Sequence, residues 1–218
     1  MKITKLEHSG IIIEKEGRRI VFDPVEFVEK LPKLESVIAI IITHKHGDHL
    51  QPEVIKRIKD DNPSAKIYTT DEVVPLIDSA VAVRNGDSLE IGGFKLSFFS
   101  KNHAAIIPGQ IPCKNIGVVV DGKVVNSGDS FDLPNVDTEV LLVAISAPWL
   151  KIAEAMDYVE AVKPKIVIPV HDALLSEFGK SISDNWMKKA CDKMGAEYKE
   201  LNSGESVIMG GSAGLDHG

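Results

Sequence analysis

Apolar positions along this chain follow two rhythms. Short runs rich in β-branched residues, closed by Gly, Asn or Asp, alternate with segments whose apolar residues recur at spacings of three and four. Ile11–Glu14 and Arg19–Phe22, separated by Lys15-Glu16-Gly17-Arg18, predict a hairpin. Val37–Ile42 is apolar without alternation and predicts a central strand covered on both faces. Lys66–Thr69, Ser88–Ile91 and Phe94–Ser100 predict further strands, and Ile116–Val120 and Lys123–Val125 flank the hairpin signal Asp121-Gly122. Val140–Ile145 and Ile166–Val170 complete the buried strands. Helical spacing marks Pro52–Lys59, through Val54, Ile55 and Ile58, then Asp71–Ser79, Ala153–Val162 and Asp184–Met194. Helices between strands imply an α/β fold with mixed pairing. No linker or repeat interrupts it, so residues 1–209 are expected to form one domain. Residues 210–218, Gly-Gly-Ser-Ala-Gly-Leu-Asp-His-Gly, should be a flexible tail holding a solvated His217.

Composition narrows the class. With 218 residues, 44% hydrophobic, the chain can bury a sizeable core. No apolar run approaches the length needed to span a bilayer, and the charged N-terminal segment lacks the apolar core of a signal peptide. Two cysteines, Cys113 and Cys191, are too few for a disulfide framework or a thiolate cage, which points to a reducing cytoplasm. A net charge of -7 argues against nucleic acid or an anionic membrane as partner. A homo-oligomer is compatible with the sequence.

The histidines change the picture. The strand Val37–Ile42 runs into Thr43-His44-Lys45-His46-Gly47-Asp48-His49. In an extended loop His44, His46 and Asp48 would project to one side, with His49 turning toward a second position. His103 follows the strand Phe94–Ser100, Asp129 lies in Asn126-Ser127-Gly128-Asp129-Ser130, His171 follows Ile166–Val170, and Asp23 follows Arg19–Phe22. Five of the seven histidines and three aspartates thus fall just past strand ends, where α/β folds expose chemistry. Imidazole with carboxylate and no thiolate suits zinc, manganese or iron.

The HxHxDH pattern, a later His, an Asp in a Gly-Asp turn and a last His after a buried strand resemble the metallo-β-lactamase fold superfamily. The likeness covers nearly the whole chain, and HxHxDH is its specific part. Glu7-His8-Ser9-Gly10 and Lys163-Pro164-Lys165-Ile166-Val167-Ile168-Pro169 are similar to small hydrolases such as the ascorbate-6-phosphate lactonase-like group. The resemblance implies a four-layer αβ/βα sandwich with two divalent ions, zinc first and manganese or iron as alternatives. It implies that His44, His46 and His103 hold one ion, that Asp48, His49 and His171 hold the other, and that Asp129 bridges them. Asp23 would orient the motif loop from behind. Two such ions acidify a shared water and polarise a carbonyl or phosphoryl oxygen, and Asp48 would handle the proton. Two dications against Asp48, Asp129 and a hydroxide leave a positive focus of about one charge, favouring an anionic small-molecule substrate. The expected reaction is hydrolysis of an ester, lactone, amide or phosphodiester. A phosphodiesterase or nuclease, or a metal-binding module without turnover, is the alternative.

Several residues carry softer expectations. His8 resembles the family's pocket-edge histidine and, with Ser146 and Trp149, is expected to border substrate, while Lys151 could line the same pocket. Trp149 could equally be a packing anchor. Asp172 is expected to cap the segment Ala173–Phe178. Cys113 sits in the Pro/Gly loop 108–114, at the substrate's border or on plain surface. The chain after His171 is too short for the helical domain of glyoxalase II-like members, and there is no room for the inserted domain of RNA-cleaving members.

Overall fold

The computed structural model describes residues 1–209; the expected tail 210–218 lies outside the described residues. The predicted hairpin forms from β2 (Ile11–Lys15) and β3 (Arg18–Phe22), and β1 (Lys2–Lys5) precedes it. Glu16 and Gly17 both take positive φ (51° and 72°), the twist a two-residue hairpin loop requires. The apolar run becomes β4 (Val37–Ile41), pairing parallel to β3 on one side and to β5 (Lys66–Thr69) on the other. With β6 (Ala80–Ala82) and the late strand β14 (Ser206–Ile208), these make a seven-stranded sheet ordered β14-β1-β2-β3-β4-β5-β6.

The second sheet repeats the plan. Its antiparallel part is β7 (Ser88–Ile91), β8 (Phe94–Phe99), β9 (Gly117–Val120) and β10 (Val124–Asn126). Its parallel part adds β11 (Val140–Ala144), β12 (Ile166–Val170) and β13 (Glu197–Tyr198).

The sheets face each other across a core that includes Ile13, Phe22 and Ile41 from the first and Phe94, Val118 and Ile168 from the second. Helix α1 (Pro52–Asp61) covers the outer face of the first sheet through Val54, Ile55 and Ile58. Helices α2 (Ile152–Val162) and α3 (Glu177–Met194) cover the second through Ala155, Val159, Met187 and Cys191. The result is the expected four-layer αβ/βα sandwich.

Three expectations need correction. Asp71–Ser79 is not an α-helix: Pro75 lacks the N–H a helix needs, and the segment holds only a 3-10 turn at Val74–Leu76. The last helix starts at Glu177, seven residues before Asp184, where Ser176 Oγ accepts the Gly179 N–H at 3.2 Å. Asp172 therefore caps nothing. It is buried between two ammonium groups, Lys5 Nζ at 2.9 Å and Lys180 Nζ at 3.1 Å.

Candidate metal centre

Every chemistry-bearing loop leaves the same edge of the sandwich. Asp23 follows β3, His44–His49 follow β4, His103 follows β8, Asp129 follows β10 and His171 follows β12. Several of these exits need unusual backbone. His8, Asp23, Ser100 and His171 take positive φ (56°, 40°, 69° and 61°), a strain that clusters at functional sites. Gly128, with φ 58°, has no room for a side chain: a Cβ would lie 2.3 Å from Asn115 Oδ1 and 2.9 Å from Thr43 Cβ. That close approach delivers Asp129 to the cluster.

The motif loop is coiled rather than extended, with the His49 and Leu50 N–H groups both donating to His46 C=O. The coil separates the side chains the alternation had placed on one side. His44 and His46 group with His103, whereas Asp48 and His49 group with His171 and His8. Asp129 lies between the groups: its Oδ1 is 3.3 Å from His49 Nε2, and its Oδ2 is 3.2 Å from His103 Nε2 and 3.1 Å from His171 Nε2.

Hydrogen bonds fix which nitrogen each ring presents. A carbonyl can only accept, so His103 Nδ1–H donates to Ala104 C=O and His171 Nδ1–H donates to Ser146 C=O, each at 2.5 Å. His49 Nδ1–H donates to Asp23 Oδ2 at 2.9 Å. Thr43 Oγ1–H also donates to Asp23 Oδ2, at 2.7 Å, so its lone pair receives His44 Nδ1–H at 3.0 Å. Those four rings therefore commit Nδ1–H outward and turn Nε2 inward, the nitrogen that holds the lone pair whenever the ring is neutral. His46 is reversed: its Nδ1 faces His44 Nε2 at 3.1 Å, and its Nε2 is 3.6 Å from Cys113 Sγ.

The inward nitrogens of His49, His103 and His171 are buried without a hydrogen-bond partner. Each lies 3.1–3.3 Å from an Asp129 oxygen but out of alignment with it. Orphaned buried polar atoms are costly, and imidazole nitrogens converging beside two carboxylates are the donor set of a divalent cation once any Nε2 proton is released.

Electrostatics point the same way. Burial disfavours a charged ring at His171, yet the close carboxylates of Asp129 and Asp48 outweigh it and hold its pKa up to about 9. His49 is raised well above the usual range, burial again being overcome by Asp129 and Asp23. Burial would raise the Asp48 carboxyl, but His171 and His8 hold it far down, and His49, His103 and His171 do the same for Asp129. The carboxylates thus draw positive charge into the centre. On the other side, burial pushes His44 well down and His46 down, and within the carboxylate group it lowers His8, so these rings are neutral.

Of the residues expected behind the ligands, Asp23 accepts the Thr43 N–H (2.7 Å), the Thr43 hydroxyl and His49 Nδ1–H. Ser146 meets the site through its backbone carbonyl, on His171. Trp149 is buried, and its indole N–H donates to Asp129 Oδ2 at 2.8 Å. Lys151 is exposed. Cys113, Lys45 and Ile106 line a cavity of about 140 Å³ that opens beside His46 and His103. Sequence reading passed over Thr43, which links Asp23 to His44, and Asn115, which accepts the Asp129 N–H at 3.1 Å and donates to Ser127 C=O at 2.8 Å. Thr43 adjoins the motif and could have been found there; Asn115 carries no local signal.

Residues 2–171 match the family model described as the beta-lactamase superfamily domain, and the chain belongs to that family. A Mycobacterium tuberculosis protein is 30% identical over 84% of this chain and 89% of its own length. A protein of Nanoarchaeum equitans named UPF0173 metal-dependent hydrolase is 27% identical over 96% of this chain and all of its own. The structure of a metallo hydrolase from the archaeon Ignicoccus hospitalis superposes with a TM-score of 0.73 at 20% identity, covering 94% of this chain and 97% of that one. The protein is thus a metallo-β-lactamase fold protein of the metal-dependent hydrolase type.

Proposed function

We propose that this hydrolase works with two divalent ions, zinc first among them, on a small anionic ester, lactone or phosphodiester. The observation that carries the reading is the convergence of the buried, unpartnered Nε2 atoms of His49, His103 and His171 on Asp129. His44 and His103 through Nε2 and His46 through Nδ1 would hold one ion. Asp48, His49 and His171 would hold the other, with Asp129 shared. When bound, such a pair acidifies water and polarises the substrate's carbonyl or phosphoryl oxygen.

The chain's own residues do the remaining work. Asp23 and Thr43 lock the rings of His44 and His49, so the ligands need no reorganisation. Trp149 and Asn115 hold the Asp129 carboxylate and its backbone. Asp48 is part-exposed and kept ionised, which suits it to take a proton from the attacking water and return it to the leaving group. Lys45, paired with Glu72 at 3.0 Å, borders the cavity beside His46, and Ile106 supplies an apolar wall. Cys113 and Cys191 are both free, in keeping with work in the cytoplasm.

The test is a panel of lactones, carboxylic esters and phosphodiesters, with acidic and neutral members of each, assayed on zinc-loaded protein. The reading expects turnover in one class with preference for the anionic member, abolished by a chelator and restored by zinc. Chelator-resistant turnover, or none in any class, would refute it.

A further inference from the structure

His8 presents its ring nitrogens the opposite way from its neighbours. Its Nδ1 accepts the Ala173 backbone N–H at 3.2 Å. An accepting Nδ1 carries no proton, so the neutral ring keeps its proton on Nε2. Nε2 is buried without an aligned partner, and the nearest carboxylate oxygen is Asp48 Oδ2 at 3.4 Å. His8 thus turns an N–H toward the cluster, whereas His49, His103 and His171 commit Nδ1–H outward and leave Nε2 as the atom that can receive a cation.

The fold secures this orientation at several points. His8 C=O accepts the His171 N–H at 3.1 Å, and the two imidazoles lie in contact, tilted by 54° with centroids 3.9 Å apart. The Phe27 ring meets His8 edge-on at 5.5 Å, and Glu7 holds that loop by accepting the Phe27 N–H at 2.6 Å. Gly10 closes the turn: a Cβ there would fall 2.8 Å from Leu6 Cβ.

We infer that His8, although it lies within reach of Asp48, His49 and His171 as a fourth ligand, is not a metal ligand. It is a positioning residue whose Nε2–H faces Asp48 Oδ2 at 3.4 Å and so biases how that carboxylate is presented. The inference rests on reading the cluster as a metal centre. It also separates His8 from substrate, which a side chain this buried does not meet.

The test uses the full chain labelled with ¹⁵N-histidine, without metal and loaded with zinc chloride. Two-bond proton–nitrogen correlations report the tautomer of each ring. His8 should keep its proton on Nε2 in both states, while zinc-loaded His103 and His171 carry theirs on Nδ1 alone. In parallel, His8→Ala should bind as many zinc ions per chain as the parent but about tenfold more weakly in chelator competition. His8→Gln, which restores an N–H near that position, should recover most of the loss. A zinc-loaded His8 with its proton on Nδ1, or loss of one zinc equivalent in His8→Ala, would make it a ligand and overturn the inference. A His8→Gln no tighter than His8→Ala would overturn the link to Asp48. If His8→Ala fails to fold, the parent tautomer decides, and a parent that binds no zinc refutes the metal centre while the metal-free tautomer still judges His8.

Discussion

The two halves of the histidine cluster share an edge and differ in nearly everything else. His44, His46 and His103 form an imidazole group with no carboxylate of its own; His44 and His46 are neutral, and the half opens through His46 to the cavity beside Cys113. His49 and His171, grouped with Asp48, lie deep among carboxylates and are pulled toward the charged form. Cation affinity in such a cluster depends on what a metal must displace as well as on the ligands it meets. The imidazole half offers lone pairs already free of protons, whereas the carboxylate half must release protons before an ion can enter.

The largest effect should come from removing the group both halves share. Asp129→Ala should empty both sites and lower kcat/KM by on the order of 10³, checked by elemental analysis and assay together. Loss of one ion only would mean that Asp129 belongs to a single half. Next comes Asp23→Asn, aimed at the carboxylate half. It weakens the acceptor behind His49 Nδ1–H, so zinc affinity there should fall by about 10- to 100-fold, with a smaller loss in the imidazole half, which Asp23 reaches only through Thr43 and His44. Chelator competition would show one phase weakened far more than the other; two equally weakened phases would mean the halves are not separable.

A pH series sharpens the contrast. Protons compete with the cation for the Nε2 of His171, whose pKa is held up to about 9, so the ring is protonated below that value. Raising pH toward 9 removes the competitor, and affinity of the carboxylate half should climb roughly tenfold per unit for one proton released. The imidazole half should stay nearly flat above neutrality, because His44 and His46 are already unprotonated there. Equal slopes in zinc titrations would contradict the comparison. The smallest effect is expected of Cys113→Ser: a hydroxyl near His46 Nε2 can still accept its N–H, so zinc affinity should change only a few-fold, read by the same competition.

Much of this was legible in the sequence because strand ends are marked locally. The β-branched runs at 37–42 and 166–170 end where His44 and His171 begin, and Gly128 announced the close approach that places Asp129. What stayed hidden depends on contacts distant in sequence. The short edge strands β6, β13 and β14 have no periodicity of their own and form only against β5, β12 and β1. Asp172 looked like a helix cap until Lys5, far away in the chain, closed on it. The division of HxHxDH between two groups could not be read from alternation, because it arises from the coil at His46–Leu50. Trp149 read equally as pocket wall or anchor, and only its 2.8 Å bond to Asp129 shows what its indole touches.

The most direct test of the two-half account is zinc stoichiometry in three chains: the parent, His46→Ala and His171→Ala. Two ions per chain in the parent and one in each variant, with the ion retained by His171→Ala binding nearly independently of pH above neutrality, is the predicted result. A parent that binds one ion, or a variant that loses both together, would contradict it.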